Sequence, residues 1–552
     1  MKRIRTQLAR SFTVVAVLLS LSNCNEERFF ELDRPPQNPW TTLNDFDRAV
    51  TGAYGVLFGS RAWVQAWPNY AVPLTSLGDD VAYVNDPQWG YLRNTEQVVD
   101  LVERNSWLAY RGLAGVNEAL DFVEENDGNP YLEASTSDVE NQLNRMVGEL
   151  HFLRGFIYFM LETTFGQAYV PGGDNATPDI TLHTDFVESA EEARDPKIGT
   201  TQEVWDLIRA DLEMAKELLP EKYDPAVHPA GYQVRANRFA AAALLMRTYF
   251  QRGEYDLAAQ ECDYIIANGG YQLDEEPIDA FNKSGLAEVG NEVIFYLPYS
   301  DISLFPPWHL SVLNATWNGQ KCVWNETRMS FSAIEQLGWM EAPGKEEDVS
   351  FTLAARRDKR FQQLMKVRYP TQWSESLRRT FAGDSLSVSR SDDVKTIDQL
   401  IRESLGYDLA SDDRISNITT IWPWKYFRGP GEDYTNLPLI RLPEVYLTRA
   451  IIRFNAGDPA GAAADLNVVR KRAWDTAVDP AYWDLTAAEV TAEVIHRERL
   501  AELFNEADRL NYLRGLKVPI PQGDRGDGSD PYTSEKFIWA IPSGEWQYNN
   551  SL

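Results

Sequence analysis

The apolar positions of this chain fall mostly at helical spacing, and the pattern occurs twice. Leu442, Tyr446, Ala450 and Phe454 place one apolar stripe on a helix within residues 437–515. Gly457 predicts its end, because glycine takes the left-handed conformation cheaply. Asp458 then reads as the cap of a second helix and Pro459 as its first residue, where no backbone N–H is needed. Ala462, Leu466, Val469 and Ala473 give that helix its own stripe. Thr486 and Glu489 have the spacing of a capping box. They predict a third helix carrying Leu500, Leu503, Phe504, Ala507 and Leu510. Residues 235–268 have the same layout, with a helix stopping at Gly253 and another lined by Ala258, Ala259, Cys262 and Ile265. Displaced by 204 positions, Phe250 falls on Phe454, Gly253 on Gly457, and Ala258 and Ala259 on Ala462 and Ala463. Helix pairs with small residues at the contact bury their faces by stacking on neighbours, which is a tetratricopeptide-like repeat in physical terms.

The rest of the chain divides around these pairs. Thr41 and Thr42 open a helix with Phe46, Val50, Ala53 and Leu57 inward, and a helical pattern resumes through Trp107, Tyr110, Val116 and Leu120. Ser137 with Glu140, and Thr200 with Glu203, are further capping-box spacings. The helical rhythm weakens between 275 and 436. Asn291–Tyr296 alternates like a strand, helices are expected near 328–338 and 351–366, and the polar stretch 371–417 reads as a surface excursion. The fold class expected is all-α: a scaffold of about four tetratricopeptide-like helix pairs with a loop-rich insertion containing short strands.

The run Pro438-Leu439-Ile440-Arg441-Leu442-Pro443-Glu444-Val445-Tyr446-Leu447, then Asn455-Ala456-Gly457-Asp458, then Leu466-Asn467-Val468-Val469-Arg470-Lys471-Arg472-Ala473 resembles the LPxIRxxEVxLxxAE…NxAGD…LNxVRxRA signature of the SusD/RagB family. These are surface lipoproteins of Bacteroidetes. Glu149–Phe159, with Phe165-Gly166 and Val170-Pro171, is similar to the family's GEAxFLRAxxYFxL…YG…VP motif, and Ile541–Asn550 to its IPxxExxxN ending. One departure is Arg449-Ala450-Ile451, where Ala-Glu is usual. The resemblance implies a glycan-binding lipoprotein that sits as a lid on a SusC-like TonB-dependent transporter. It supports five segments: a signal peptide at 1–23, a lipidated Cys and tether at 24–39, an N-terminal helical-repeat region at 40–274, a ligand-facing insertion at 275–436, and a C-terminal helical-repeat region at 437–552.

The N-terminus agrees with that picture. Four cations precede an apolar run from Phe12 to Leu21, which is a secretory signal too short to span a bilayer. It ends Leu21-Ser22-Asn23-Cys24, so Cys24 is the expected lipidation site, although Asn23 is unusual before the Cys. Each buried acyl CH₂ contributes about 0.8 kcal/mol, and several chains give stable anchoring. Asn25-Glu26-Glu27 resembles the Bacteroidetes signal for export to the outer face, and Pro35, Pro36 and Pro39 stiffen the tether. The expected localisation is the outer membrane, facing the exterior.

Charge and composition narrow the function. With 53 Lys and Arg against 82 Asp and Glu, the formal net charge of −29 argues against nucleic acid, whose phosphates need cations. Three cysteines make no disulfide framework. There is no Walker loop, HExxH, GxSxG or CxxC, and His151, His183, His228, His309 and His496 have no metal-ligand spacing. Glu498 and Glu502 beside Arg497 and Arg499 read as a solvated ion-pair face. Asp524, Asp527 and Asp530 could offer oxygen ligands to Ca²⁺, but without an EF-hand pattern no cofactor is expected. The reading is therefore a binding protein, not an enzyme.

A sugar presents an apolar C–H face for aromatic stacking and hydroxyls for Asn, Gln, Asp and Arg. Two loop clusters among the 17 Trp and 25 Tyr have that mixture. One holds Trp63, Trp67, Tyr70, Tyr83, Trp89 and Tyr91 with Asp79, Asp80, Asn85 and Gln88. The other holds Trp308, Trp317 and Trp324 with Asn314, Asn318, Gln320 and Asn325. In the family, ligand-binding aromatics come from loops in these two regions. The candidate stacking residues are Trp89, Trp308, Trp317 and Trp324, then Trp63 and Trp67. Trp422 and Trp424 are expected to be buried beside Lys425 and Tyr426. Alternatives from the same residues are a peptide-binding lipoprotein of the RagB type, a glycoside-cleaving enzyme with two carboxylates flanking a cleft, and a protein-binding scaffold.

Overall fold

The computed structural model describes residues 40–58, 77–83, 109–187, 194–224, 226–283, 288–298, 327–341, 343, 351–368, 420–426, 435–542 and 545. The chain forms two compact units, Met1–Arg48 and Ala49–Leu552. α1 is Leu43–Phe58. In the first unit Thr42 Oγ1 accepts from Asp45 N, and Trp40 meets Phe46 edge-on at 5.6 Å.

The helical-repeat scaffold is present in the second unit. α2 (Tyr110–Glu124) packs on α3 (Asn144–Phe165), which runs along α4 (Thr201–Leu218). α5 (Arg238–Arg252) and α6 (Tyr255–Asn268) form the next pair, and α4 lies against α5. The turns follow local chemistry. Thr200 and Glu203 make both bonds of their capping box. Asn237 Oδ1 accepts from Ala240 N, and Gly253 stands at φ +74°. Ala240 to Ala243 are all fully buried, so helices approach α5 closely on several sides, and Cys262 fills the core as a small apolar group.

The insertion is closed by a strand pair. β4 (Val293–Leu297) pairs antiparallel with β8 (Leu437–Arg441), so the chain leaves the scaffold and returns at one neck. α10 (Leu442–Asn455) and α11 (Pro459–Ala473) follow, with Gly457 at φ +84° and the Asp458 carboxylate accepting from Gly461 N. α6 packs against α10, although more than 170 residues separate them in sequence. Within the insertion, β5 (Thr327–Met329) pairs with β1 (Val81–Tyr83), β6 (Met365–Arg368) with β7 (Thr420–Pro423), and β5 runs beside β7. α7 (Phe331–Leu337) is the helix expected near 328–338, while 351–366 resolves into the short helices α8 (Leu353–Arg356) and α9 (Lys359–Leu364). Elsewhere, β2 (Pro178–Thr181) pairs with β3 (Ile198–Thr200), and β9 (Ile520–Pro521) with β10 (Ser529–Asp530).

Four local expectations are corrected. The cap before α3 is Ser135, whose hydroxyl accepts from Asp138 N, and Glu140 lies in a π-helical turn (Val139–Leu143). Thr486 and Glu489 do bond to each other, but they close a turn. The helix α12 (Ala492–Leu503) starts from Thr491, whose hydroxyl accepts from Val494 N. The single helix expected through Leu510 is broken: Asn505 and Ala507 have positive φ, and α13 (Arg509–Leu516) begins afresh. Finally, every residue of β4 is buried, so its alternation does not separate a wet face from a dry one.

Candidate ligand-binding site

Trp63, Trp67, Trp89, Trp308, Trp317 and Trp324 lie outside the described residues, as do Cys24 and the polar stretch 371–417. What is described is the strand pair that precedes Trp89 and follows Trp324 in the chain. Val81 pairs with Met329, Ala82 with Arg328 and Tyr83 with Thr327. The chain therefore leaves β1 toward Trp89 at the point where it enters β5 from Trp324. The polar stretch has the same arrangement, with Arg368 paired to Thr420.

Several groups pin the β1–β5 pair. Ser330 N donates to Asp80 O at 2.8 Å, and Ser330 Oγ donates to Asp79 O while accepting from Ala333 N as the cap of α7. Arg509 grips the Asp79 carboxylate with two bonds of 2.6 and 2.9 Å, and Gln336 bridges both partners. A bidentate, charge-assisted pair of this kind fixes orientation as well as distance. Burial pushes the Asp79 carboxyl up, but Arg509 and Gln336 outweigh it and hold it below the usual range. Arg525 donates to Gly78 O at 2.9 Å. Gly523, at φ +60°, approaches so closely that a Cβ there would sit 2.7 Å from Asp79 O. Asp524 accepts from Phe331 N and Ser332 N at 3.0 Å each and pairs with Arg328 at 2.8 Å.

These contacts revise two expectations, for Asp79 with Asp80 and for Glu498 with Glu502. Asp79 and Asp80 are 1% and 2% exposed, so they are not available to sugar hydroxyls. Asp524 is committed to α7 and Arg328, and Asp530 pairs with Lys536 at 2.8 Å. No group of three potential ligands stands together among the described residues to hold a metal ion. Glu498 and Glu502 are also not a solvated face. Glu502 is fully buried within reach of Arg360, Arg441 and Arg472.

That last group is a buried ionic cluster beneath the insertion. Arg441, at the end of β8, donates to Glu292 at 2.5 Å, Glu502 at 3.0 Å and Glu506 at 2.7 Å. Arg472 bridges Glu292 and Glu502, Lys425 reaches Glu506 and the Glu502 carbonyl, and Arg360 spans Asp358 and Glu498. Burial raises the Glu502 carboxyl, but Arg472, Arg441, Arg360 and Lys425 more than reverse it, and it stays ionised. Trp424, Lys425 and Tyr426 are buried as expected. Arg509, Gln336 and Arg328 were not singled out from the sequence, and Asp524 was read there only as an oxygen ligand for Ca²⁺. Arg509 lies 430 positions from Asp79, and no local pattern links them.

None of the described helices is long and apolar enough to cross a membrane. Two models of one family match the chain. One, described as starch-binding and associating with the outer membrane, matches residues 33–250, and the SusD family model matches 288–514. SusD-like protein P25 of Formosa agariphila is 23% identical over 90% of this chain and 88% of that protein. SusD-like protein P2 of the same organism is 26% identical over 50% of this chain and 51% of its own length, so this chain spans about half of that relative. Among solved structures, a SusD-like carbohydrate binding protein from Bacteroides vulgatus superposes with a TM-score of 0.63 at 17% identity, covering 93% of this chain and 98% of the other, which shows a shared fold. With both halves matched and the helical-repeat fold shared, the chain belongs to the SusD family.

Proposed function

We propose that this protein captures a polysaccharide or oligosaccharide at the outer membrane and delivers it to a SusC-like TonB-dependent transporter. The observation that carries this is the β1–β5 pairing. It brings the backbone of Tyr83, six residues before Trp89, beside that of Thr327, three residues after Trp324. Two segments rich in Trp, Asn and Gln that flank one strand pair in the chain supply the stacking and hydrogen-bonding groups that a glycan needs. Anchoring through Cys24 would keep the protein at the membrane surface. The mechanism is binding and release without bond cleavage.

The test is native gel electrophoresis of the purified full chain through a panel of plant, microbial and host polysaccharides, with Trp89→Ala, Trp308→Ala, Trp317→Ala and Trp324→Ala in parallel. Retardation by a glycan, lost in one or more variants, is the expected result. Retardation by none of the panel, or release of reducing ends from a glycan, would sink the proposal.

A further inference from the structure

A second concavity lies at the far end of α7 from the loop base. It is a cavity of about 250 Å³ between Gly338–Trp339, Arg357–Arg360, the C-terminal end of α11, Trp483–Leu485 and α12. Ligand pockets usually measure roughly 300–1,000 Å³, so this one suits a single monosaccharide-sized group. The seven residues of α7 span roughly 10 Å at the helical rise, so cavity and loop base are neighbours.

Its aromatic wall is built, not incidental. Asn467 makes two bonds to the backbone of Leu485, and Arg470 Nη1 donates to Trp483 O, which clamps the 475–491 segment onto α11. Trp474 is buried and meets Trp483 edge-on at 5.1 Å. Arg357 lies 3.7 Å over the Trp474 ring. Trp483 remains 44% exposed, a fixed flat apolar surface at the cavity.

Its charges leave a residue of one. Arg357 pairs with Asp479 at 2.7 Å, Arg360 with Asp358 and Glu498, and Arg470 bonds Asn467 and approaches Glu498. Arg497 is exposed on the same rim and has no partner among the described residues. In a chain of net charge −29, this cavity thus offers one unpaired guanidinium beside one exposed indole.

We infer that this cavity binds a saccharide unit bearing one anionic substituent, a carboxylate or a sulfate, with the ring on Trp483 and the anion on Arg497. Guanidinium matches either group with two parallel bonds. The surrounding negative field disfavours densely charged polymers, so a single acidic residue in an otherwise neutral glycan is the fitting ligand. The inference rests on the saccharide reading of the proposed function, but it concerns a separate site.

Calorimetry of the purified full chain would test it with three matched oligosaccharides ending in glucuronate, sulfated glucose or neutral glucose, and with an acidic peptide. The two acidic sugars, or one of them, should bind about tenfold or more tightly than the neutral one, as expected for a hydrogen bond to a charged group. The preferred acidic sugar identifies the substituent. Trp483→Ala and Arg497→Gln should each weaken that binding about tenfold. Arg497 is exposed, so its variant should fold normally and serves as the control for Trp483→Ala. The combined Trp308→Ala, Trp317→Ala and Trp324→Ala variant should keep the acidic sugar's affinity, which separates failure of the loop site from failure of this one. Equal binding of neutral and acidic sugars, no effect of either cavity variant, or tighter binding of the peptide would overturn the inference.

Discussion

Asp79 and Asp80 are adjacent, buried and opposite in behaviour. Arg509 satisfies Asp79, whereas Asp80 Oδ1 has no partner among the described residues. Burial, then the charge of Asp79, pushes the Asp80 carboxyl up to about 7. Its value is therefore higher in the folded chain than in the unfolded one, and the native state holds a proton that the unfolded chain has released. That stabilisation is complete below about pH 4 and is lost as pH rises through about 7. Asp80→Asn mimics the protonated form at every pH. Urea denaturation should show the variant gaining about 2 kcal/mol on the wild type between pH 5 and pH 8. A constant difference between the two proteins would mean that Asp80 is ionised when folded. Arg441 shows the converse case, a charge whose partners are all in place. It belongs to a recognisable motif, yet its contacts with Glu292, Glu502 and Glu506 follow from no spacing in the sequence.

Among the elements, helix starts were legible where the backbone around the cap was itself regular. Thr200 and Glu203 flank a helix that begins at once, and both capping bonds form. Thr486 and Glu489 make the same side-chain bonds around a turn, and α12 starts five residues later at Thr491. Thr491→Ala should therefore cost about 1 kcal/mol, while Thr486→Ala should cost under about 0.5 kcal/mol because its turn is exposed. Thermal unfolding of the two variants checks this, and equal losses would mean that Thr486 does support α12. The break between α12 and α13 was hidden for a different reason. Leu500, Leu503, Phe504, Ala507 and Leu510 keep helical spacing across it. The chain nevertheless turns at Asn505 and Ala507, and Glu506 and Asp508 reach Arg441, Lys425 and Arg499.

Across the whole unit from Ala49, the C-terminal segment packs on the β1–β5 strand pair and its flanking residues, hundreds of residues earlier in the chain. Arg509, Gly523, Asp524 and Arg525 all touch the base formed by Gly78–Asp80 and Arg328–Ser332. Arg509→Gln leaves the Asp79 charge buried without its partner, at a cost of about 3–5 kcal/mol. We expect it to weaken glycan retardation in native gels at temperatures where the variant is still folded, although Arg509 is itself buried. Unchanged retardation in a folded Arg509→Gln protein would show that the loops do not depend on this base.

Local physics in the sequence was enough to determine the helix pairs. Apolar spacing defines the faces of α5, α6, α10 and α11, and Gly253 and Gly457 mark their turns because few other residues take positive φ without strain. The surroundings of the candidate site needed the tertiary structure. Pairing β1 with β5, setting Arg509 on Asp79, and gathering Arg357, Trp483 and Arg497 around one cavity each join residues far apart in the chain. Such contacts depend on how the scaffold closes around the β4–β8 neck, and side-chain spacing along one segment carries no record of it.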